Sequence, residues 1–228
     1  MLSTVFKLFI PFFLLISGFA HAGIVIESTR YLYKEGAREI TAQIENKDGI
    51  PYLIKSWIET PKGQTPSFTA TPPLFRLEAK QQNTVRLFST NNVTAPTDRE
   101  SVFYFNVMAI PPADETNAKN NTIQLAVRHR MRLVYRPKSL FDMKPNEEAA
   151  KLQWSKSGNK LFIKNPTPFF YYFNTIKIGS AEIKNEVNTV PPMETKEVTL
   201  KGNINASSVT WKIVNDYGGA GSLYPSPL

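Results

Sequence analysis

Cysteine is absent from the 228 residues, and histidine occurs only as His21 and His129. The first absence excludes a thiolate zinc site, a thiol redox pair and any support from disulfides. The second leaves His129 alone for a Ser-His-Asp arrangement once residues 1–22 are set aside as a leader, and leaves no pair of imidazoles for a metal. No Gly-rich phosphate loop of the GxxxxGK type is present, so ATP use is not supported. Long apolar runs are missing too. The longest, Leu8–Phe19, has about 12 residues with Pro11 and Gly18 inside it, against the ~20 that a bilayer needs. No catalytic residue, metal or cofactor is expected.

What the chain does hold is 42% hydrophobic and 20% charged residues, with 27 Lys and Arg against 19 Asp and Glu and a net charge of +8. That composition is globular rather than disordered. Residues 1–22 carry one cation, Lys7, then the apolar run, then Ala20-His21-Ala22. This is the three-part layout of a secretory signal, with small residues at the cleavage site. Cleavage after Ala22 gives an exported chain with no membrane insertion. Without disulfides such a chain relies on sizeable cores, and its length suffices for two.

Strand periodicity dominates the remainder. Ile40, Ala42 and Ile44 alternate with Thr41, Gln43 and Glu45, and Val209, Trp211 and Ile213 with Thr210, Lys212 and Val214, the period of a half-buried strand. Further strands are expected at 24–33, 52–58, 84–88, 102–109, 122–135, 161–164, 170–178 and 196–200. Turn groups such as Asn46-Lys47-Asp48-Gly49, Thr71-Pro72-Pro73 and Ser157-Gly158-Asn159 separate them. Only 146–154 has helix-like composition. The pattern predicts an all-β fold of antiparallel sandwiches, and the length fits two Ig-like domains of ~100 residues each. The expected division is a leader over 1–22, one domain over 23–142 and a second over 143–228, with the break within 137–145.

The strand expected at 122–135 is about twice the usual length of ~5–6 residues. Ile123, Leu125 and Val127 alternate at its start, and a basic cluster of Arg128, His129, Arg130 and Arg132 follows. One reading is a long core strand with a charged outer face. The other is an edge strand whose apolar row is kept for a partner that binds by strand addition, since exposed edges are otherwise blunted.

The stretch Asp98-Arg99-Glu100-Ser101-Val102-Phe103-Tyr104-Phe105-Asn106-Val107-Met108-Ala109-Ile110-Pro111-Pro112 resembles a signature of the periplasmic chaperones of the chaperone–usher pilus pathway, as does Arg132-Leu133-Val134-Tyr135-Arg136-Pro137. Thr71-Pro72-Pro73-Leu74-Phe75-Arg76-Leu77, Asn165-Pro166-Thr167-Pro168 and Asn215-Asp216-Tyr217-Gly218-Gly219 match further family segments. The resemblance implies two Ig-like domains in an L or boomerang with a cleft between them. It implies a periplasmic protein that binds, folds and caps pilus or fimbrial subunits by donor-strand complementation and delivers them to an outer-membrane usher. The short polar segment at 111–121, with no cysteine, resembles the short-loop subgroup.

By the same resemblance, Ile123, Leu125 and Val127 are the donated row. Burying three such side chains contributes roughly 5–9 kcal/mol, while association costs ~4–15 kcal/mol. Backbone hydrogen bonds, at ~0.5–1.5 kcal/mol each, and an anchor are therefore needed. Family members grip the subunit's terminal carboxylate with two basic residues. Arg30 matches the first, and Arg132 stands where the family usually has lysine, which keeps the charge and adds a planar fork. Simple alternation puts Arg132 on the face opposite the apolar row, so twist or a bulge is needed to bring them together. Glu100, Arg136 and Asp216 match a charge cluster that joins the two domains. As surface ion pairs worth ~0–1 kcal/mol they would orient more than stabilise.

Two other classes compete. An exported carbohydrate- or ligand-binding sandwich, such as an adhesin, would bury its own last strand and need no basic anchor. An enzyme would have to use Asp98 with Glu100 or Glu147 with Glu148, adjacent loop carboxylates of the kind that are ordinarily solvated. The cluster at 128–132 has no aromatic face beside it in the sequence, so nucleic acid is not an expected partner. Acidic subunit surfaces and carboxyl termini are. Self-association through the edge is a further expectation when no subunit is bound.

Overall fold

The computed structural model describes residues 23–61, 67–90, 93–113, 124–183, 188–202 and 204–228. The leader expected at 1–22, Ile123 of the donor row and most of the 111–121 loop lie outside the described residues.

Nine described strands build the first sandwich: β1 (Ile24–Ile26), β2 (Arg30–Lys34), β3 (Ile40–Asn46), β4 (Tyr52–Glu59), β5 (Phe68–Thr71), β6 (Leu74–Leu77), β7 (Gln82–Ser89), β8 (Ser101–Ile110) and β9 (Val127–Arg136). One sheet has the order β1-β3-β7-β5, the other β2-β9-β8-β4-β6. Alternate residues point inward from both, so Ile44, Val85 and Leu87 meet Ile54, Phe105, Val107 and Leu133 in one core. Phe68 packs edge-on against Tyr33 and Phe103 at its centre.

The strand expected over 24–33 is in fact two strands in different sheets. Ser28 Oγ donates to Arg30 O at 2.7 Å, and this local bond competes with ladder pairing at the point where the chain changes sheets. The Thr71-Pro72-Pro73 turn separates two strands, β5 and β6, that the alternation did not reveal, and its Thr71–Pro72 peptide is cis.

After a 3₁₀ turn at Lys138–Leu140 comes one short helix, α1 (Pro145–Glu148). The helix-like composition at 146–154 yields only this and a 3₁₀ turn at Ala149–Lys151 before a strand begins. The strands that follow are β10 (Gln153–Ser157), β11 (Lys160–Lys164), β12 (Tyr171–Ile178), β13 (Ala181–Glu182), β14 (Thr189–Val190), β15 (Thr195–Thr199), β16 (Ser208–Val214) and β17 (Ala220–Pro227). They form the sheets β10-β11-β15 and β13-β12-β16-β17, with β14 also on β12. Trp211, Phe169, Leu161 and Ile163 lie at the centre of the second core. Pro225 and Pro227 are accommodated because β17 is an edge strand. A third, smaller cluster of Val102, Val134 and Tyr172, flanked by Leu32, Phe170 and Val214, joins the outer face of the five-stranded sheet to the second sandwich.

Candidate functional site

β9 has neighbours on both sides for only half its length. β8 pairs with it throughout, from Ala109 opposite Val127 to Ser101 opposite Tyr135. On the other side β2 runs parallel, and only from Arg30 opposite Arg132 to Lys34 opposite Arg136. Because β2 begins after the change of sheet at Ser28-Thr29, no strand among the described residues covers the outer edge of Val127–Met131. The strand starts at Val127 rather than at the expected 122, with Leu125 just ahead of it.

Odd-numbered side chains of β9 point toward the first core. Met131 and Leu133 are buried in it, but Val127 is 54% and Leu125 74% exposed. The row thus leaves the core while its backbone edge is still open, a combination that natural sheets ordinarily blunt. Even-numbered side chains face the other way, and the pairing with β8 runs without a bulge. Arg132 therefore does lie on the face opposite Val127, the described residue of the row that is within β9, and no irregularity in that pairing brings them together.

Buried charges mark the end of the open edge. Arg30 is 6% exposed. Its Nη2 is 3.3 Å from Asp216 Oδ1, its Nη1 donates to Val214 O at 3.4 Å, and its Nε has no partner among the described residues. Arg136 donates from Nε to Glu100 Oε1 at 2.8 Å, with Nη2 2.7 Å from the same oxygen as an ion pair, and from Nη1 and Nη2 to Asp216 at 2.8 and 3.0 Å. Glu100 Oε2 accepts the Phe170 N–H at 2.9 Å. The sequence treats Arg30 and the Glu100–Arg136–Asp216 cluster as separate groups; Asp216 makes them one network.

The network is also not on the surface. Glu100 is 2% exposed, so the weak energetics expected of surface pairs do not apply, and removing one partner strands a charge. Burial pushes the Glu100 carboxyl up, while Arg136, the Phe170 amide and Arg30 pull it down. Burial works against the charge on Arg136, yet Asp216 and Glu100 outweigh it and hold that guanidinium above the ordinary arginine value.

Two asparagines set the loops that deliver these groups. Asn215 Oδ1 accepts the N–H groups of Tyr217 and Gly219, both at 3.0 Å, closing the turn that presents Asp216. Within it Gly218 has φ +85°, and a Cβ there would stand 3.3 Å from Thr29 Oγ1, so glycine suits both the turn and its approach to the Arg30 segment. Asn165 donates to Phe169 O at 2.7 Å and Pro191 O at 2.8 Å and accepts from Thr167 N at 3.0 Å. It thereby sets the loop whose Pro168 O accepts the Glu100 N–H at 2.9 Å.

Arg132 is placed differently from Arg30. Its guanidinium lies 4.0 Å from the Tyr172 ring centroid, with no carboxylate partner among the described residues. It lines a cleft of about 940 Å³ together with Thr29, Tyr104, Arg130, Phe170 and Tyr172. Arg30 approaches the same ring, at 5.4 Å, but borders a smaller cavity of about 410 Å³ with Arg136 and Asp216. Tyr172, which sequence reasoning missed, is thus the floor that brings the two arginines together. Burial pushes its phenol up to about 12 against the pull of Arg132 and Arg30, so the hydroxyl stays neutral. A planar, unpaired guanidinium over a neutral phenol suits a carboxylate.

The fold also corrects the reading of the basic cluster. Trp57 lies 5.1 Å from the Arg128 guanidinium and Tyr104 3.5 Å from that of Arg130, with Tyr172 under Arg132. The cluster does have an aromatic face, with each ring stacked by an arginine.

Residues 23–141 match the family described as pili and flagellar-assembly chaperone, PapD N-terminal domain, and residues 147–224 match the pili assembly chaperone PapD, C-terminal domain. Chaperone protein FimC of Escherichia coli is 37% identical over 207 residues, covering 90% of this chain and 84% of FimC. The probable fimbrial chaperone YadV of Escherichia coli is 36% identical over 216 residues, covering 87% of each. The structure of the Salmonella enterica SafA pilin in complex with the SafB chaperone superposes with a TM-score of 0.82 at 29% identity, covering 90% of this chain and 96% of the matched one. With both sandwiches matched and identity above 30% sustained along nearly the whole chain, the protein belongs to the pilus-assembly chaperone family.

Proposed function

We propose that this chain is a periplasmic chaperone, not an enzyme, that captures pilus or fimbrial subunits at the open edge of β9 and delivers them to an outer-membrane usher. One observation carries the reading: the outer edge of Val127–Met131, uncovered by any strand among the described residues, and the exposed Leu125 and Val127 lead directly to Arg132 and Arg30. A subunit that lacks its last strand takes β9 in its place. Leu125 and Val127 enter its groove, with Ile123 next in the row, and its backbone completes the ladder.

Since β2 occupies the edge from Arg132 onward, the incoming strand ends there. A chain that ends at Arg132 and lies along Gln124–Met131 runs parallel to β9. Its terminal carboxylate then meets Arg132 over Tyr172, with Arg30 beneath. This contact fixes register, because a one-residue slip turns the apolar row out of the groove. The Glu100–Arg136–Asp216 network holds the two sandwiches together and keeps the cleft preformed, which lowers the cost of binding. The relative SafB has been solved with the SafA pilin, which supports a subunit as the occupant.

The test is to purify the tagged protein from its native periplasm beside its Arg30→Ala and Arg132→Gln variants and identify what comes with it by mass spectrometry. Small exported β-rich subunits should be retained by the parent and lost by both variants. Retention of the same proteins by all three, or of none by any, overturns the reading.

A further inference from the structure

Arg128, Arg130 and Arg132 occupy alternate positions on one face of β9, opposite Met108, Asn106 and Tyr104 of β8. Each is stacked on a ring, but their polar partners differ. Arg128 is engaged: Nε and Nη2 donate to Asn106 Oδ1 at 3.0 and 2.7 Å, and Nη2 to Glu59 Oε2 at 2.7 Å. Arg132 is the accessible member of the proposed carboxylate anchor. Arg130 lies between them with one anionic neighbour among the described residues, Glu59, at 3.7 Å, and its side chain is 47% exposed. Glu59 is already held by Arg128 and by Trp57 Nε1, which donates at 2.8 Å.

The Tyr104 ring 3.5 Å from the Arg130 guanidinium orients that group before any partner arrives. Around it, among the described residues, the sheet face carries Lys55, Arg128 and Arg132 against Glu59. Of the cleft's other charged residues, Glu100 is bound to Arg136 and Arg99 to Asp98, and Glu194 belongs to the second sandwich. The face has an unmet preference for negative charge beside the open edge.

We infer that Arg130, seated on Tyr104, is a specificity residue that selects an acidic side chain near the C-terminus of the captured strand. The inference rests on the edge reading above. A strand laid beside β9 shows one set of alternate side chains to the Leu125 and Val127 face and the other to the arginine face. Its pattern is therefore apolar on one face and acidic on the other. Arg130 is two residues from Arg132, so the acidic position falls within the last few residues before the terminal carboxylate.

The probes are synthetic peptides of about ten residues, alternating valine and threonine, with a free C-terminal carboxylate. Two derivatives carry glutamate at the penultimate or the antepenultimate position, which lie on opposite faces, and a fourth peptide is the parent amidated at its C-terminus. Affinity is measured by titration calorimetry for the mature protein and for Arg130→Gln and Arg128→Gln. One glutamate peptide should bind about fivefold tighter than the parent and the other more weakly, through a charge on the apolar face. The gain should vanish in Arg130→Gln and persist in Arg128→Gln. Equal affinity of the three free-carboxylate peptides, or a gain that survives Arg130→Gln or is lost equally in Arg128→Gln, overturns the Arg130 assignment and leaves the edge reading standing. Binding indifferent to amidation, or no binding of any peptide, overturns the edge reading and the inference with it.

Discussion

Arg30 Nη2 lies 3.3 Å from Asp216 Oδ1, so an arginine proposed to receive a partner's carboxylate already holds one of the protein's own. Asp216 is at the same time bound through both oxygens by Arg136. The proposed carboxylate anchor and the joint between the two sandwiches therefore share Asp216.

Asp216→Asn is expected to lower stability by about 2–4 kcal/mol, because it leaves a buried guanidinium without its counter-charge. It should also tighten the binding of a carboxylate-terminated peptide, since Arg30 then has no internal competitor. Urea unfolding with and without peptide checks both: the variant starts lower and gains more from ligand. A smaller gain than in the parent contradicts the competition.

Arg132 has no such carboxylate partner among the described residues, which makes it the cleaner probe of the anchor. In Arg132→Gln the free protein should unfold within about 0.5 kcal/mol of the parent, while capture of a free-carboxylate peptide falls at least tenfold, as expected for loss of a charged hydrogen bond worth ~1.5–3 kcal/mol. Arg30→Ala should also abolish capture, but with a loss of stability, because Arg30 is buried and tied to Asp216 and Val214.

Leu125 is exposed in the free protein, so Leu125→Glu should leave the unfolding midpoint unchanged. Subunit capture should be lost, because the carboxylate enters an apolar groove. Thermal denaturation and co-purification of subunits, run on the same preparation, separate the two effects. Unfolding of the free variant would show that this segment is core and would sink the donor role.

Glu100→Ala removes a buried partner of Arg136 and the acceptor of the Phe170 N–H. A loss of about 3 kcal/mol in urea unfolding is expected. A change below 1 kcal/mol would mean that the network only orients the two sandwiches.

Much of the fold was legible because its signals are local. The alternation at Ile40–Ile44 and at Val209–Ile213 became β3 and β16, and the Asn and Gly groups became turns, since strand period and turn chemistry depend on a few adjacent residues. The strands β5, β6, β10, β13, β14 and β17 were not legible: four of them have four residues or fewer and show no period, β10 begins inside the segment of helix-like composition, and β17 carries Pro225 and Pro227. The split of 24–33 was hidden for a related reason: either half reads as a strand, and only the pairing decides that β1 joins β3 while β2 joins β9.

For the site, the residue types are readable along the chain: an apolar row at Ile123, Leu125 and Val127, a run of arginines, and Glu100, Arg136 and Asp216 in recognisable segments. What surrounds each of them depends on how distant segments pack. That β2 begins only at Arg30, so that no strand among the described residues covers the outer edge of Val127–Met131, is a matter of register between distant strands. That Glu100 is buried, that Asp216 holds Arg30, and that Tyr172 and Tyr104 lie under Arg132 and Arg130 depend on contacts between segments far apart in the chain. Burial and electrostatic pairing are properties of three-dimensional neighbours, and no local pattern encodes them.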